Sequence, residues 1–373
     1  MRRLRLATVA LIVALTGCRD AVAPWTVPVE VVDTTGPLRL TWSARDDLYP
    51  VWSAGGDSVL YSGDGFPGLP PAAGLLLRVG RAGGAASLVI PALQATAVGN
   101  ERRFVQPALS PDGGRIAFFQ IGGVRPVSSV LNPQQCLVAE PVLDSVVLRV
   151  RSPVAEASFE AAISFRLAGI DSLQRILAPG PYVVRLFPFQ REYAATGQLV
   201  VRPTWAPDGS RLVFSDGLRL LAWTPGAGDP QPIPGTEDGV SPAWSPDGNW
   251  IAFTRQPRPD STVTPCVIRV GLNQAQQSRW TYAPADPHIV LVHPDGSGSA
   301  DVGVGRDPAW GPDGSLYFSD GVVRVRSPAG TVSDVVPAVD GRWPAVPADG
   351  TRLAWARLDS DSGYNVWVVR LQR

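Results

Sequence analysis

The strongest constraint on how this chain folds is a segment that it repeats. Arg202-Pro-Thr-Trp-Ala-Pro-Asp-Gly, Ser241-Pro-Ala-Trp-Ser-Pro-Asp-Gly and Asp307-Pro-Ala-Trp-Gly-Pro-Asp-Gly are near copies, and Gln106-Pro-Ala-Leu-Ser-Pro-Asp-Gly changes only the aromatic position. Tyr49-Pro-Val-Trp-Ser-Ala-Gly-Gly and Trp343-Pro-Ala-Val-Pro-Ala-Asp-Gly are degenerate copies. In each, a short strand runs into a corner where proline presets φ, aspartate bonds the turn backbone and glycine takes positive φ. A second apolar run then returns, as in Leu212-Val-Phe and Ile251-Ala-Phe, so the unit is a hairpin. Two more strands follow where the chain is uninterrupted, as in Val322-Val-Arg-Val-Arg and Thr331-Val-Ser-Asp-Val-Val. Repetition of a four-stranded unit six times predicts an all-β chain, a six-bladed β-propeller with a small β insertion domain. The tryptophans at 52, 205, 244 and 310 are expected to pack between neighbouring sheets, with Leu109 and Val346 in the same role. A lone strand over 37–42 is expected to complete the last blade by pairing with the run after Tyr364, so the propeller spans 37–373 and leaves no open edge.

Glycine and proline number 38 and 37, as many short strands and turns require. Two intervals between repeats are too long for a bare blade. The first suggests a β-rich insertion over 125–197 within blade two, although its run 181–187 also suits that blade's third strand. The second covers 255–286 within blade four, ahead of the strand His288-Ile-Val-Leu-Val. Both follow the second strand of their blade, so alternating strand direction places them on one face. Cys136 lies in the first insertion and Cys266 in the second, and an oxidising compartment would let them form a disulfide.

The first residues read as an address. A basic stretch, Met1-Arg-Arg-Leu-Arg, precedes an apolar run over 6–15 that is too short to span a bilayer. Leu15-Thr-Gly-Cys18 follows and resembles the bacterial lipobox, which implies a signal peptide over 1–17, lipidation of Cys18, a membrane anchor there and a tether over 18–36. The expected location is the bacterial cell envelope, facing periplasm or cell surface. Basic and acidic residues balance at 33 each, so no net field would gather nucleic acid.

Through the Pro-x-Trp-Ser-Pro-Asp-Gly signature, the repeats resemble the TolB-like, WD-repeat-like propeller family of bacterial envelope proteins. The resemblance implies a six-bladed propeller and a protein or peptide partner. The family's namesake carries an α/β domain ahead of its propeller, whereas this sequence has a lipobox there, so the namesake's own partner is not carried over.

Candidate chemistry is sparse. The two histidines, His288 and His293, are five residues apart and therefore on opposite faces of a strand. Gly63-Asp-Gly-Phe-Pro-Gly has dinucleotide spacing, but Pro67 and the lack of a following helix leave it a loop. Asp359-Ser-Asp-Ser-Gly resembles the start of a calcium loop, yet Arg370 stands where the closing glutamate is needed. The repeated aspartates at 112, 208, 247, 313 and 349 read as turn caps. No catalytic residue, metal or cofactor is expected. Asp47, Arg103, Arg202, Asp238, Arg306 and Arg342 fall just before the first strands and are expected to ring the channel mouth on the insertion face. The expected function is that of an envelope-anchored, monomeric, non-enzymatic module binding a protein or peptide of unknown identity. The alternative is a propeller that binds or cleaves polysaccharide at the channel mouth.

Overall fold

Each Pro-Asp-Gly corner is closed by its aspartate. The backbone N–H two residues on donates to the carboxylate, from Ser210 to Asp208 at 2.9 Å, Asn249 to Asp247 at 3.1 Å and Thr351 to Asp349 at 2.9 Å. Gly209 and Gly248 then turn the chain at φ 69° and 77°, where a side chain would be strained. The computed structural model describes residues 36–371 apart from connecting stretches, the longest being 64–73, 91–102, 126–135 and 186–201.

Six four-stranded antiparallel sheets form the propeller. Blade one comprises Asp47–Trp52, Ser58–Gly63, Leu75–Gly80 and Gly83–Leu88; blade three comprises Thr204–Trp205, Leu212–Ser215, Leu220–Thr224 and Ala227–Pro232. Blade four is built from Gly239–Trp244, Ile251–Arg255, His288–Val292 and Ala300–Val304, and blade five from Arg306–Trp310, Leu316–Asp320, Val322–Arg326 and Val332–Asp340. Arg342–Ala345, Arg352–Asp359 and Gly363–Arg370 make three strands of blade six. Leu38–Arg39 supplies its fourth, with Leu38 opposite Val368 and Arg39 opposite Trp367. Past that pair the seam continues through Thr41, whose hydroxyl accepts from the Val366 N–H at 2.9 Å.

Blade two departs from the sequence reading. Its first two strands are Arg103–Leu109 and Ile116–Ile121, its third is Val146–Arg151 and its fourth Phe159–Phe165. The span 125–197 is therefore not one inserted unit, and the run near 181 is not the third strand. The apolar alternation of Val146, Leu148 and Val150, all buried, belongs to the blade. What lies outside the blade is two excursions, one on each side of its outer strands. They pair with one another, Cys136–Val138 with Arg175–Leu177. Tyr182–Arg185 also pairs with Asp260–Thr264 from blade four's long connection. Backbone ladders thus join the excursions of blades two and four. Cys136 sits in the first of these ladders; Cys266 and Cys18 lie outside the described residues.

The blades are held by a buried cluster at every interface. Trp52 packs with Ala345, Ala354 and Val366 of blade six, Trp205 with Ala117 and Phe119 of blade two, and Trp244 with Val213 of blade three. Trp310, Leu109 and Val346 serve the other three interfaces. Three of the indoles also donate to a carbonyl of the preceding blade's first strand: Trp52 to Ala345 at 3.0 Å, Trp205 to Ala108 at 3.1 Å and Trp310 to Ala243 at 3.1 Å. Trp244 bonds Gly248 in its own turn instead, at 3.2 Å. Hydroxyls at the ends of second strands add a further set of bonds. Ser62 accepts from Gln106 N–H at 2.8 Å, Thr254 accepts from Asp307 N–H at 2.9 Å, and Ser215 donates to the Gly239 carbonyl at 2.8 Å.

Trp205→Phe keeps the packing and leaves the Ala108 carbonyl without its donor, so it should cost about 1–3 kcal/mol. Trp205→Ala should cost about 3–5 kcal/mol through the cavity as well; denaturant unfolding measures both. Turn bonds hold Asp208, Asp247 and Asp349 below the ordinary aspartate range, with hydrogen bonds from Ser210, Ser245 and Thr351 as the leading causes. A depressed carboxylate stabilises the fold above its unfolded pKa and loses that contribution as pH falls through its folded one. The melting temperature should hold steady down to about pH 5 and fall below about pH 4. An Asp208→Ala, Asp247→Ala, Asp349→Ala variant should show a shallower acid limb in the same melts.

Candidate functional site

The first strands run side by side around the axis, so position in the repeat sets depth in the channel. At the residue before the blade proline, five of them bulge. Tyr49, Gln106, Ser241, Asp307 and Trp343 take φ between 50° and 57° there, a left-handed conformation that non-glycine residues rarely adopt. The strand register slips at each of these places. Such a residue costs on the order of 1–3 kcal/mol and persists only where its surroundings fix it. All five are buried, and together with Arg202 they form a plug position at one level of the repeat. Tyr49 and Trp343 meet with ring centroids 4.7 Å apart, and Ser241 donates to Asp307 at 3.4 Å.

Between this plug and the Pro-Asp-Gly face lies a cavity of about 290 Å³. Its wall is the repeat itself: Pro107-Ala108, Pro203-Thr204, Pro242-Ala243, Pro308-Ala309 and Pro344-Ala345, with the four tryptophans behind them. Ala54 and Ala348 are exposed at its rim. Three hydroxyls reach it, and each is already engaged. Ser53 donates to Asp57 at 2.5 Å, Ser110 donates to the Arg115 carbonyl at 3.1 Å, and Thr204 accepts from the Trp244 N–H at 3.3 Å. Three of the indole N–H groups are spent on neighbouring blades and the fourth on its own turn. Arg202 is the one charged residue among the described residues of the lining. It occupies the plug position of blade three, a step deeper than the rest of the wall.

Arg342 holds Asp307, whose charge also acts on Arg202. The Arg342 guanidinium pairs with that carboxylate at 2.8 Å, both side chains being buried, and also lies over the Trp343 ring at 4.5 Å. Arg202 is pushed below the usual guanidinium range, first by burial, with the Asp307 and Tyr49 charges opposing that shift. Its Nη1 is sealed from solvent and has no hydrogen-bond partner.

The other residues read from the sequence as a mouth are placed separately. Asp47 is buried in blade one, where its charge adds to burial in raising the Tyr61 hydroxyl well above its ordinary value. Arg103 and Arg306 open the first strands of blades two and five and are half-buried. Asp238 stands at φ 61° before blade four, its carbonyl accepting from Gln256 N–H at 2.8 Å. His288 meets Asp301 at 2.9 Å and His293 stacks on Trp250 at 3.9 Å, both on the outer part of blade four. Asp359 bonds the Trp367 indole at 3.1 Å and faces Arg39 and Arg357. Gly65 and Asp361 lie outside the described residues, and among those described no cluster of metal ligands forms. The plug was overlooked in the sequence, although its signal is there: every member directly precedes a repeat proline.

No protein-family model matches the chain, and no curated protein does either. Solved structures do. An oligogalacturonate lyase in complex with manganese is 13% identical over 90% of this chain and 79% of that one, with a TM-score of 0.45. TolB from Acinetobacter baumannii is 13% identical over 75% and 69%, with a TM-score of 0.38. A gluconolactonase from Xanthomonas campestris is 14% identical over 90% and 89%, with a TM-score of 0.44. These likenesses concern the fold. The expectation that the chain is not an enzyme is corrected: the solved structures it resembles in fold include a lyase and a lactonase.

The unequal pairing of the two arginines is testable. Arg342→Met strands Asp307 in the interior and should cost about 3 kcal/mol. Arg202→Met removes a buried cation with an unpaired nitrogen and should leave stability unchanged or raise it by about 1 kcal/mol. Denaturant unfolding of the two variants side by side gives the comparison.

Proposed function

We propose that this chain is a binding propeller of the bacterial cell envelope, tethered through a lipidated Cys18, and that the cavity on its Pro-Asp-Gly face takes up a polypeptide segment. One observation favours polypeptide over polysaccharide: every hydroxyl and indole N–H in the wall is already bonded within the protein. A sugar entering the cavity would give up its hydration for a surface of proline, alanine and ring faces, and its own hydroxyls would go unpaired. Apolar side chains lose nothing there. The rim and wall can bury them at roughly 25 cal/mol per Å², and a cavity of about 290 Å³ holds only one or two of them.

The full-length protein, immobilised, should retain peptides from a proteolytic digest of envelope proteins and pass an oligosaccharide mixture. Ala54→Trp with Ala348→Trp narrows the mouth at exposed positions and should abolish that retention while the melting temperature stays within a few degrees. Retention of oligosaccharides that the double variant loses would overturn the reading in favour of the glycan alternative. Peptide retention that the double variant leaves intact would place binding elsewhere.

A further inference from the structure

We infer that the cavity recognises the free carboxylate at the C-terminal end of a polypeptide, seated against Arg202 with the last side chain among the repeat prolines. This rests on the polypeptide reading above and adds an orientation and a chemical group to it. The argument begins from charge. Among the described residues lining the cavity only Arg202 is ionised, and it stands one repeat position inward of the wall prolines. Whatever enters therefore meets a cation only with its leading end.

The second observation is that the protein leaves this cation under-compensated. Asp307, whose charge acts on Arg202, is held by Arg342 at 2.8 Å through Nε. Arg202 lines the cavity, is half-buried and is destabilised in its charged form by burial, so an anion in the cavity beside it would relieve a penalty that the folded chain already carries. Guanidinium is suited to a planar carboxylate, which it can meet with two parallel N–H bonds.

The third observation selects the kind of carboxylate. A side-chain carboxylate in mid-polypeptide would drag two flanking peptide groups past a wall made mostly of proline and alanine, and each lost hydrogen bond would weaken binding. A chain end brings one carboxylate, one side chain and one peptide group. That shape suits a cavity of this size, with a wall of Pro107, Pro242, Pro308 and Pro344 around the terminal side chain.

The test uses N-terminally labelled hexapeptides ending in Ala, Val, Leu or Phe, each made as the free acid and as the C-terminal amide. Fluorescence anisotropy against the full-length protein should show the acids binding at least about tenfold more tightly than the amides. Arg202→Gln should erase that difference by weakening only the acids, and Arg202→Lys should retain part of it; thermal melts confirm that both fold. Equal binding of acid and amide by the native protein would overturn the terminal-carboxylate assignment and leave polypeptide binding standing. Failure of both forms to bind would overturn the two together. Binding of an oligouronate in their place, lost in Arg202→Gln, would reassign Arg202 to a sugar acid and also overturn the inference.

Discussion

A ring of six twisted sheets has no single core, so its stability rests on how each blade grips the next. Here that grip is the first-strand tryptophan and the residues that stand in for it. The indole fills the wedge between sheets and, in three blades, its N–H satisfies a carbonyl of the neighbouring first strand. The contact does two things at once. It buries a large ring, and it fixes the spacing of the inner strands, which is what leaves a narrow channel lined by proline and alanine. Where Leu109 and Val346 replace tryptophan, packing persists without the hydrogen bond.

Much of this was legible in the sequence because the repeat combines turn chemistry with an aromatic at fixed offset. Hairpins, interface residues and blade number all follow from Pro-Asp-Gly and the tryptophan, or its replacement, three positions before the aspartate. The extent of blade two was not legible. Its outer strands are apolar and strand-like, and so are the segments around them; only pairing with Ile116–Ile121 tells them apart. The plug was hidden for a different reason. Tyr49, Gln106, Arg202, Ser241, Asp307 and Trp343 share a position and no chemistry, so nothing but the geometry of the bulge shows that they meet. Among the mouth residues, Arg342 pairs with Asp307, whose charge also acts on Arg202, while Asp47 is buried in blade one and its charge acts on Tyr61.

The channel concentrates the costs of the fold. Five left-handed residues, a buried Arg342–Asp307 pair and a guanidinium with an unbonded nitrogen lie within it. Natural chains place strain and polar imbalance where function needs them. The apolar wall leading to that imbalance is the feature by which this propeller differs from a filled one.

The seam of blade six joins Thr41 to Val366, partners 325 residues apart in sequence. Closing a random loop of that length costs about 3 kcal/mol more than closing a ten-residue hairpin. The same two ends, carried by blades already assembled, are presented to each other at high effective concentration. The last strand pair is therefore a product of the ring as well as its clasp: the local hairpins assemble on short-range contacts, and cooperativity enters only when the two ends of the chain meet.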